Sequence, residues 1–439
     1  MYALVDGNNF YVSCERVFQP RLDGRPVIVL SNNDGCAISR SNEAKDLGIR
    51  MGAPWHEIRH LEHSHGLVAL SANFALYGDL SDRMMSLLAE FGARQEVYSI
   101  DECFVDLTGL GGDLAQRGHA MRERLQQWLG LPCGIGIGPT KTLAKLANHI
   151  AKTADRSPGS YPAQHARVCN LAALTAAEQD ALLAATEVGA VWGVGPRLGR
   201  QLREVGVHTA RDLARLDPAQ VQRRWSVVLE RTVRELQGAP CVDLDDGPQD
   251  RRHIAVTRSF GQKVHALADL REAVTVFATR AAEKLRRQGS AAAQVYVYIR
   301  TSHYEQDRPR TAARVVPLVR PSFDTAPIVH AALAALERIY QPGYPYAKAG
   351  VMLLDLQSDA VPQGELDFGE DVGAPSSAGA APRQRLARVL DELNHRYGQD
   401  TVFLASAGLG GRARRWSMRQ QRRTPRYTTH WDELAVARA

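Results

Sequence analysis

The sequence predicts an α+β protein of several domains, with a sheet of the ferredoxin-like type in its N-terminal part. The 439 residues are enough for about three or four domains of roughly 100–200 residues each. The first third of the chain shows strand and helix patterns in the order β-α-β-β-α-β, which is typical of that sheet. Residues 253–358 alternate strands with amphipathic helices once more, which predicts a second α/β domain.

The elements of the ferredoxin-like pattern follow one another along the chain. Strands are predicted where apolar residues run together or alternate, and helices where they recur every three or four residues. Thr140 is a typical N-cap and begins the last of these helices. Residues 20–75, approximately, would be an insertion in the sheet. In order, we predict strands over 1–8 and 26–30, helices over 42–47 and 74–91, two short strands around a tight turn over 97–107, a helix over 114–129, a strand over 133–138 and a helix over 140–152.

The rest of the chain changes composition from one stretch to the next. A segment rich in glycine, proline, serine and alanine is typical of a flexible linker. In order, we predict glycine-interrupted helices over 170–240, a domain with helices over 267–287 and 327–340 and strands over 292–301 and 349–356, a linker over 357–382, and a helix over 386–397 in an arginine-rich tail.

Composition excludes several classes of protein. No apolar run approaches the roughly 18 residues of a membrane helix, and the N-terminus lacks the basic lead of a signal peptide. The six cysteines are widely spaced and include no Cys-x-x-Cys pair, which fits reduced thiols better than a disulfide framework or a zinc site. We therefore expect a cytoplasmic protein with no membrane partner.

The charge is unevenly distributed. Residues 1–250 carry 26 basic and 30 acidic side chains, whereas residues 251–358 carry 16 and 8. An acidic part next to a basic part is expected where one binds metal and the other follows nucleic-acid phosphates. The alternative for the basic part is a solvated surface. Only seven of the 54 basic residues are lysine, which suits phosphate binding but also follows from a GC-rich genome.

Three acidic residues stand out because of where they fall in the predicted sheet. Asp6 ends a buried-looking strand, and Asp101 and Glu102 lie in a tight turn between two strands. Carboxylates gathered on one sheet repel one another unless a cation pairs with them, and Mg²⁺ prefers oxygen ligands. Two such ions support an in-line phosphoryl transfer. The alternative is that Asp101 and Glu102 only satisfy the turn and that Asp6 caps the strand.

The sequence around these acids resembles the two catalytic motifs of the Y-family translesion DNA polymerases, closest to the UmuC-like catalytic subunits of bacterial DNA polymerase V. The motifs are Asp6-Gly-Asn-Asn-Phe-Tyr-Val-Ser-Cys-Glu15 and Tyr98-Ser-Ile-Asp-Glu102. The resemblance extends over nearly the whole chain, through further strings at 30–36, 140–148, 228–236, 258–261 and 425–429.

The resemblance implies a right-hand polymerase architecture. It has a ferredoxin-like palm, small fingers, a helical thumb with a helix-hairpin-helix, an α/β little finger that grips duplex DNA, and a C-terminal tail module. The boundaries expected on this basis are 1–20 and 75–168 for the palm, 21–74 for the fingers, 169–245 for the thumb, 246–357 for the little finger, 358–382 for the linker and 383–439 for the C-terminal region.

The resemblance also implies the roles of individual residues in a nucleotide site. Asp6, Asp101 and Glu102 would be the catalytic acids and, with the Gly7 carbonyl, the ligands of two Mg²⁺ ions. Tyr11 falls on the steric-gate position, where a ring beneath the sugar excludes a 2′-hydroxyl. The residues implied to bind the triphosphate are Asn9, Phe10, Tyr11, Lys45 and Lys152.

Two further segments are implied to bind macromolecules. Gly193 and Gly195 would form a hairpin whose backbone N–H groups face a DNA phosphate, with Arg197, Arg200 and Arg203 around it; the alternative is a turn that only packs. Residues 363–368 resemble a sliding-clamp-binding peptide, with Gln363, Leu366 and Phe368 as its anchors.

The predicted function is an error-prone translesion DNA polymerase that adds deoxynucleotides to a primer opposite damaged template, in DNA repair and the SOS response. Its expected partners are primer–template DNA, deoxynucleoside triphosphates, a sliding clamp, a UmuD′-like subunit and a recombinase filament, in the nucleoid. The alternatives are a catalytically silent scaffold that links a clamp to another polymerase, and a palm-fold nucleotidyl cyclase. The helix-hairpin-helix pattern and the basic module argue against a cyclase, which holds no duplex.

Overall fold

The computed structural model describes residues 1–245, 247, 250–302, 309–358, 380–398, 401–408 and 414–436. The chain divides into two compact units, Met1–Pro248 together with Arg422–Ala439, and Gln249–Gln421. The C-terminal region predicted as one module over 383–439 is therefore divided between the units, because its last residues return to the first. None of the described helices is long and apolar enough to cross a membrane.

The first unit alternates short strands with helices. Its strands are β1 (Tyr2–Gly7), β2 (Val27–Leu30), β3 (Ala37–Arg40), β4 (Val68–Ser71), β5 (Gln95–Val97), β6 (Glu102–Asp106), β7 (Cys133–Gly138) and β8 (Val168–Asn170). Its α-helices are α1 (Phe10–Phe18), α2 (Asn42–Asp46), α3 (Trp55–Ile58), α4 (Leu61–His65), α5 (Phe74–Leu88), α6 (Leu114–Leu129), α7 (Lys141–Arg156), α8 (Ala176–Ala185), α9 (Pro196–Glu204), α10 (Ala210–Ala214), α11 (Pro218–Arg224) and α12 (Val227–Leu236).

The largest sheet of the first unit has the strand order β5-β6-β1-β7-β8. The central strand β1 pairs antiparallel with β6 on one side and with β7 on the other. The first four strands therefore have the ferredoxin-like order and directions, which confirms the predicted fold class. Strand β8, which pairs parallel with β7, extends the sheet beyond the prediction.

Both faces of this sheet are buried. Ala3 and Val5 of β1 share a core with residues of α5 and α6, while Leu4 contacts Phe104 and Ala144 of α7 in a smaller cluster. Successive side chains of a strand point to opposite faces, so α5 and α6 cover one face and α7 lies on the other. Burial on both faces explains why β1 appears as a continuous apolar run and not as an alternating strand.

The insertion predicted between β1 and α5 forms a small sheet of its own, in the order β3-β2-β4. Its core is separate from that of the larger sheet and includes Ile28, Leu30 and Ile49, packed against Trp55. Helices α8 to α12 pack with α7 around a third core. Glu235 of α12 is fully buried there and accepts hydrogen bonds from the backbone N–H and the hydroxyl of Thr142 on α7, at 2.9 and 2.7 Å.

The second unit is also an α/β structure. Its strands follow the order β11-β10-β12-β9, each antiparallel to its neighbours, and α13 and α14 bury one face. The elements are β9 (Ile254–Val264), α13 (Leu267–Gln288), β10 (Ser290–Thr301), β11 (Thr311–Ser322), α14 (Thr325–Ile339), β12 (Tyr346–Ser358) and α15 (Ala380–Tyr397).

The glycines of β7 allow α7 to lie close to the sheet. A Cβ atom placed on Gly136 would lie 2.0 Å from the backbone nitrogen of Asn148 and 2.2 Å from the carbonyl oxygen of Ala144, both on α7. No side chain fits between backbones at that distance. The three alternating glycines of β7 are therefore a packing feature.

We expect Gly136→Ala to lower the stability of the first unit by about 1–3 kcal/mol or more, because overpacking against backbone has no relaxed solution. Gly78→Ala is the matched control: Gly78 lies within α5, and a Cβ there meets nothing within 4 Å. That change should raise stability by up to about 1 kcal/mol through helix propensity. Thermal unfolding of the two variants measures the difference, and equal midpoints would contradict the close packing of α7.

Candidate active site

The three predicted catalytic acids lie at one end of the paired strands β1 and β6. Asp6 is directly opposite Glu102 in the antiparallel register, and the N–H of Gly7 donates to the carbonyl of Asp101 at 2.9 Å. Directly opposed residues of an antiparallel pair point to the same face of the sheet. The fold therefore brings the backbones of all three acids together.

Each of these carboxylates has a partner of its own. Lys152 Nζ lies 2.6 Å from Asp6 Oδ1, and Lys145 Nζ lies 2.8 Å from Glu102 Oε1. The hydroxyl of Ser99 donates to Asp101 Oδ1 at 2.8 Å. Both lysines belong to α7 and are seven residues apart, which places them on one face of that helix.

The pKa of Asp6 is set mainly by burial and then by the charged groups around it. Burial raises the pKa of Asp6 to about 6, against the opposing effect of Lys152, and the charges of Glu102 and Asp101 raise it further. The site therefore holds more carboxylate charge than its lysines neutralise. The oxygens of Asp6, Asp101, Glu102 and the Gly7 carbonyl are the ligand types that Mg²⁺ prefers, so the donor set fits the expected ions.

The side chains do not converge as they stand. Across the part of the chain that the structure describes, no three His, Cys, Asp or Glu side chains form a group that could hold a metal ion. Asp6 and Glu102 are turned to their lysines, and Asp101 is turned to Ser99. Assembly of a shared ligand set therefore requires rotation of these side chains, while their backbones are already adjacent.

An open cleft of about 320 Å³ lies beside the acids, between the larger sheet and the small inserted sheet. Eight of the predicted residues line it, whereas Glu102 does not. The lining residues from the larger sheet and the elements next to it are Asp6, Gly7, Asn9, Phe10, Tyr11, Ile100, Asp101 and Lys152, and those from the insertion are Ile38, Ser39, Arg40, Lys45 and Met51.

One wall of the cleft is cationic. Besides the predicted Lys45 it includes Arg40, and Arg156 lies nearby, where it donates to Asn42 Oδ1 at 2.8 Å. Burial, and then the charges of Arg156, Arg40 and Lys152, lower the pKa of Lys45 to about 8. Cations held this close to one another are suited to a polyanion.

The backbone at Asn9 contributes to the same wall. Asn9 has φ 50° and ψ 41°, a left-handed conformation, and directly precedes α1. Lys45 Nζ donates to Asn9 Oδ1 at 2.6 Å, and Asn9 Nδ2 donates to Asn42 Oδ1 at 3.1 Å. A left-handed residue before a helix turns consecutive N–H groups toward one point, which is typical of an anion nest.

Tyr11 is held by other aromatic rings. Its ring stacks on Tyr77 of α5 with the centroids 4.5 Å apart and an interplanar angle of 15°, and it meets the edge of Phe74 at 6.0 Å. Tyr11 also lines the cleft beside Asp6. The ring is therefore half-buried and fixed in orientation, at the position predicted for the steric gate.

Sequence reasoning missed three cationic residues near the site, Lys145, Arg40 and Arg156. Arg40 and Arg156 are isolated in the sequence, so no local pattern marks them. Lys145 falls within the string at 140–148, and its ammonium group lies 4.4 Å from the ring centre of Tyr98. Lys145 is seven residues before Lys152 on an amphipathic helix, and this spacing could have indicated that both lysines lie on the same face.

The predicted hairpin precedes α9. Gly193 has φ 88°, which favours glycine, and Gly195 is the N-cap residue of α9 with Pro196 in the first turn. Arg197 and Arg200 are exposed on that helix. The first N–H groups of α9 and two arginines are thus presented on one surface.

The anchors of the predicted clamp-binding peptide, Gln363, Leu366 and Phe368, lie outside the described residues.

Comparison with known proteins agrees with the fold and with the motifs. Residues 5–149 match the impB/mucB/samB family, residues 251–366 its C-terminal domain, and residues 384–437 a domain of unknown function. The chain is 41% identical to Protein UmuC of Salmonella typhimurium over 437 residues, covering 99% of both chains. It is 25% identical to DNA polymerase IV of Pelotomaculum thermopropionicum, covering 92% of this chain and 94% of the relative.

A solved structure shows the same fold. The Y-family DNA polymerase chimera Dbh-Dpo4(243-245)-Dbh matches 81% of this chain and 99% of its own, with a TM-score of 0.63 at 18% identity. Full-length identity to UmuC establishes the family, and the structural match establishes the architecture. The chain belongs to the impB/mucB/samB family and has the right-hand fold of the Y-family DNA polymerases.

Proposed function

We propose that this chain, a DNA-directed DNA polymerase, extends primers opposite damaged template with low fidelity, by phosphoryl transfer at the β1–β6 end of the palm sheet. The observation that carries the proposal is one cleft with carboxylates on one side, cationic side chains on the other and a stacked tyrosine between them. Carboxylates suit metal-assisted attack, cations suit a triphosphate, and the ring suits selection of the sugar.

In the proposed reaction the 3′-hydroxyl of the primer attacks the α-phosphate of a deoxynucleoside triphosphate, and pyrophosphate leaves. Asp6, Asp101, Glu102 and the Gly7 carbonyl would hold two Mg²⁺ ions. Bound there, these ions supply activation of the attacking hydroxyl and neutralisation of charge on the leaving group.

The chain's own residues orient the nucleotide. Lys45, Arg40 and the N–H groups after Asn9 face the triphosphate, and release of Lys152 from Asp6 adds a further cation. Lys45 acts as a point charge without a bidentate fork. The insertion that carries Lys45 and Arg40 also holds the small residues Ala37, Ser39 and Ser41, of which Ser39 lines the cleft. A lid of small residues would check the shape of a base pair poorly and so tolerate damage.

DNA would be held by two surfaces of different kinds. One is the start of α9 with Arg197 and Arg200, which contacts phosphate and reads no sequence. The other belongs to the second unit, on the sheet face opposite α13 and α14, where Arg300 pairs in register with Lys348 and follows Tyr298 on the same face. Basic side chains on an open face suit duplex phosphates.

The cellular setting is part of the proposal. Identity to UmuC over the full length supports a UmuD′-like subunit as partner and a role in the SOS response. A sliding clamp and a recombinase filament would recruit the chain to stalled primers, and would thereby place it in the cytoplasm, at the nucleoid.

The double substitution Asp101→Asn with Glu102→Gln should reduce primer extension in Mg²⁺ by more than about 1,000-fold, since even one preorganised electrostatic contact contributes about 100- to 1,000-fold. DNA binding should stay nearly unchanged. Asp106→Asn, at the other end of β6, is the matched control and should extend normally. Undiminished extension by the double variant would refute the site, and extension absent from the unmodified chain would favour the silent scaffold.

Substitution Tyr11→Ala should admit ribonucleotides, because it opens the space beneath the sugar. We expect the ratio of ribonucleotide to deoxynucleotide insertion efficiency to rise by about 10-fold or more, the scale on which a pocket rejects one extra small group. Single-nucleotide insertion kinetics measure this ratio. A ratio that does not rise would show that Tyr11 is an ordinary core aromatic.

The hairpin arginines can be tested through salt dependence. Arg197→Ala with Arg200→Ala should lower the magnitude of the slope of log K against log salt for duplex binding by about 1.8, since each phosphate contact contributes about 0.9. Arg83→Ala, an exposed arginine on α5 paired with Asp79, is the control. A slope equal to that of the control would assign the hairpin to packing.

A further inference from the structure

The segment 422–429, where the chain returns to the first unit, lies across the junction between the palm and the inserted fingers; we name it the C-terminal strap. On the fingers side it pairs with the end of β4. The N–H of Arg422 donates to Ser71 Oγ at 2.9 Å, and the N–H of Ser71 donates to the carbonyl of Arg422 at 3.1 Å. The Arg422 guanidinium pairs with Glu62 through both carboxylate oxygens and lies 5.0 Å from the ring centre of Trp55.

On the palm side the strap meets the residue that precedes α5. Asn73 Nδ2 contacts the carbonyl of Thr424 at 3.2 Å, its hydroxyl at 3.1 Å and the carbonyl of Pro425 at 2.9 Å. Tyr427 stacks on Phe18 of α1, with the centroids 4.6 Å apart and the planes 7° from parallel. Asn73 lies between β4 of the fingers and α5 of the palm, so the strap joins the two where the chain crosses from one to the other.

From the strap a chain of contacts leads to the nucleotide cleft. The hydroxyl of Thr424 donates to Glu15 Oε1 at 3.1 Å, and the hydroxyl of Tyr77 donates to the same oxygen at 2.7 Å. Glu15 is fully buried, and its Oε2 has no partner among the described residues. Tyr77 in turn stacks on Tyr11.

A contribution to the stability of the fold does not by itself explain the contacts of Glu15. Burial raises the pKa of Glu15, which means that the folded state pays a desolvation cost to keep this carboxylate. Apolar side chains of similar volume are often as stabilising as a buried charged group. The shared acceptor Glu15 also fixes orientation. Its hydrogen bond to the hydroxyl of Tyr77 holds the ring of Tyr77 in place, and the ring of Tyr11 stacks on that ring.

We infer that the C-terminal strap is a positioning element for sugar selection, acting through Thr424, Glu15 and Tyr77 on Tyr11. The inference rests on the proposed role of Tyr11 as the gate. It gives a function to part of the region that matches a domain of unknown function. Thr424 touches no nucleotide and is a positioning residue.

Thr424→Val tests the strap, because it keeps the shape of the side chain and removes the hydroxyl. With the full chain in its active complex, we expect the preference for deoxynucleotides over ribonucleotides to fall by about 3- to 10-fold, the effect of one hydrogen bond. Thr424→Ser, which keeps the hydroxyl, should restore the preference. Thr429→Val is the matched control, since Thr429 lies in the same strap, is exposed and bonds only locally to the carbonyl of Arg426.

A second variant covers the case in which Thr424→Val fails to fold. Tyr77→Phe keeps the stacked ring and removes the other hydroxyl, and should lower the preference by a similar factor. In the double variant the two losses should not multiply, because both act through Glu15.

The outcomes distinguish failure of this inference from failure of the proposed gate role of Tyr11. If Tyr11→Ala lowers the preference while Thr424→Val and Tyr77→Phe leave it unchanged, or lower both nucleotide efficiencies equally, the strap is only structural and the inference is wrong, although the gate stands. If Tyr11→Ala leaves the preference unchanged, the gate and the inference fail together. Primer extension by the unmodified chain is a separate measurement and tests the polymerase function itself.

Discussion

The register of β1 against β6 is the constraint on which the candidate site depends. Asp6 is opposite Glu102, and Asp101 accepts from Gly7, only in that register. A slip of one residue would turn Asp6 to the other face of the sheet and exchange the side chains that fill the two cores. Because Ala3, Leu4 and Val5 are fully buried, the two cores on either side of β1 hold the strand in place. Packing on the two faces of β1 thus determines where the three acids lie.

A second feature of the site is how its charge is balanced. Acids at the strand ends are met by Lys145 and Lys152 of α7, and the glycines of β7 let that helix approach the sheet. The opposite wall carries Lys45 and Arg40, and burial together with the neighbouring cations lowers the pKa of Lys45 to about 8. Each side of the cleft holds an excess of one sign. Such an arrangement is suited to a ligand that brings cations to one side and phosphates to the other.

The C-terminal strap connects the cleft to residues that are distant in the sequence. Thr424 and Glu15 are separated by 409 residues along the chain, yet they share a buried hydrogen bond. Through Tyr77 that bond is two contacts away from the ring of Tyr11. The orientation of a residue in the nucleotide cleft therefore depends on residues that follow the whole of the second unit in the sequence.

Apolar periodicity, N-caps and glycines are local signals, and they predicted the ferredoxin-like order, the acids at the strand ends and the approximate limits of many elements. Thr140, for example, is the N-cap of α7 as predicted. These signals did not predict α1, β3, β9 or β11 individually. The resemblance then supplied Tyr11, Lys45 and Lys152, all of which line the cleft. Which charges pair depends on the folded arrangement, because local signals do not specify contacts between distant residues. Arg40, Arg156 and Thr424 have no local pattern, and their partners lie far away in the chain, so nothing short of the folded arrangement brings them to the site.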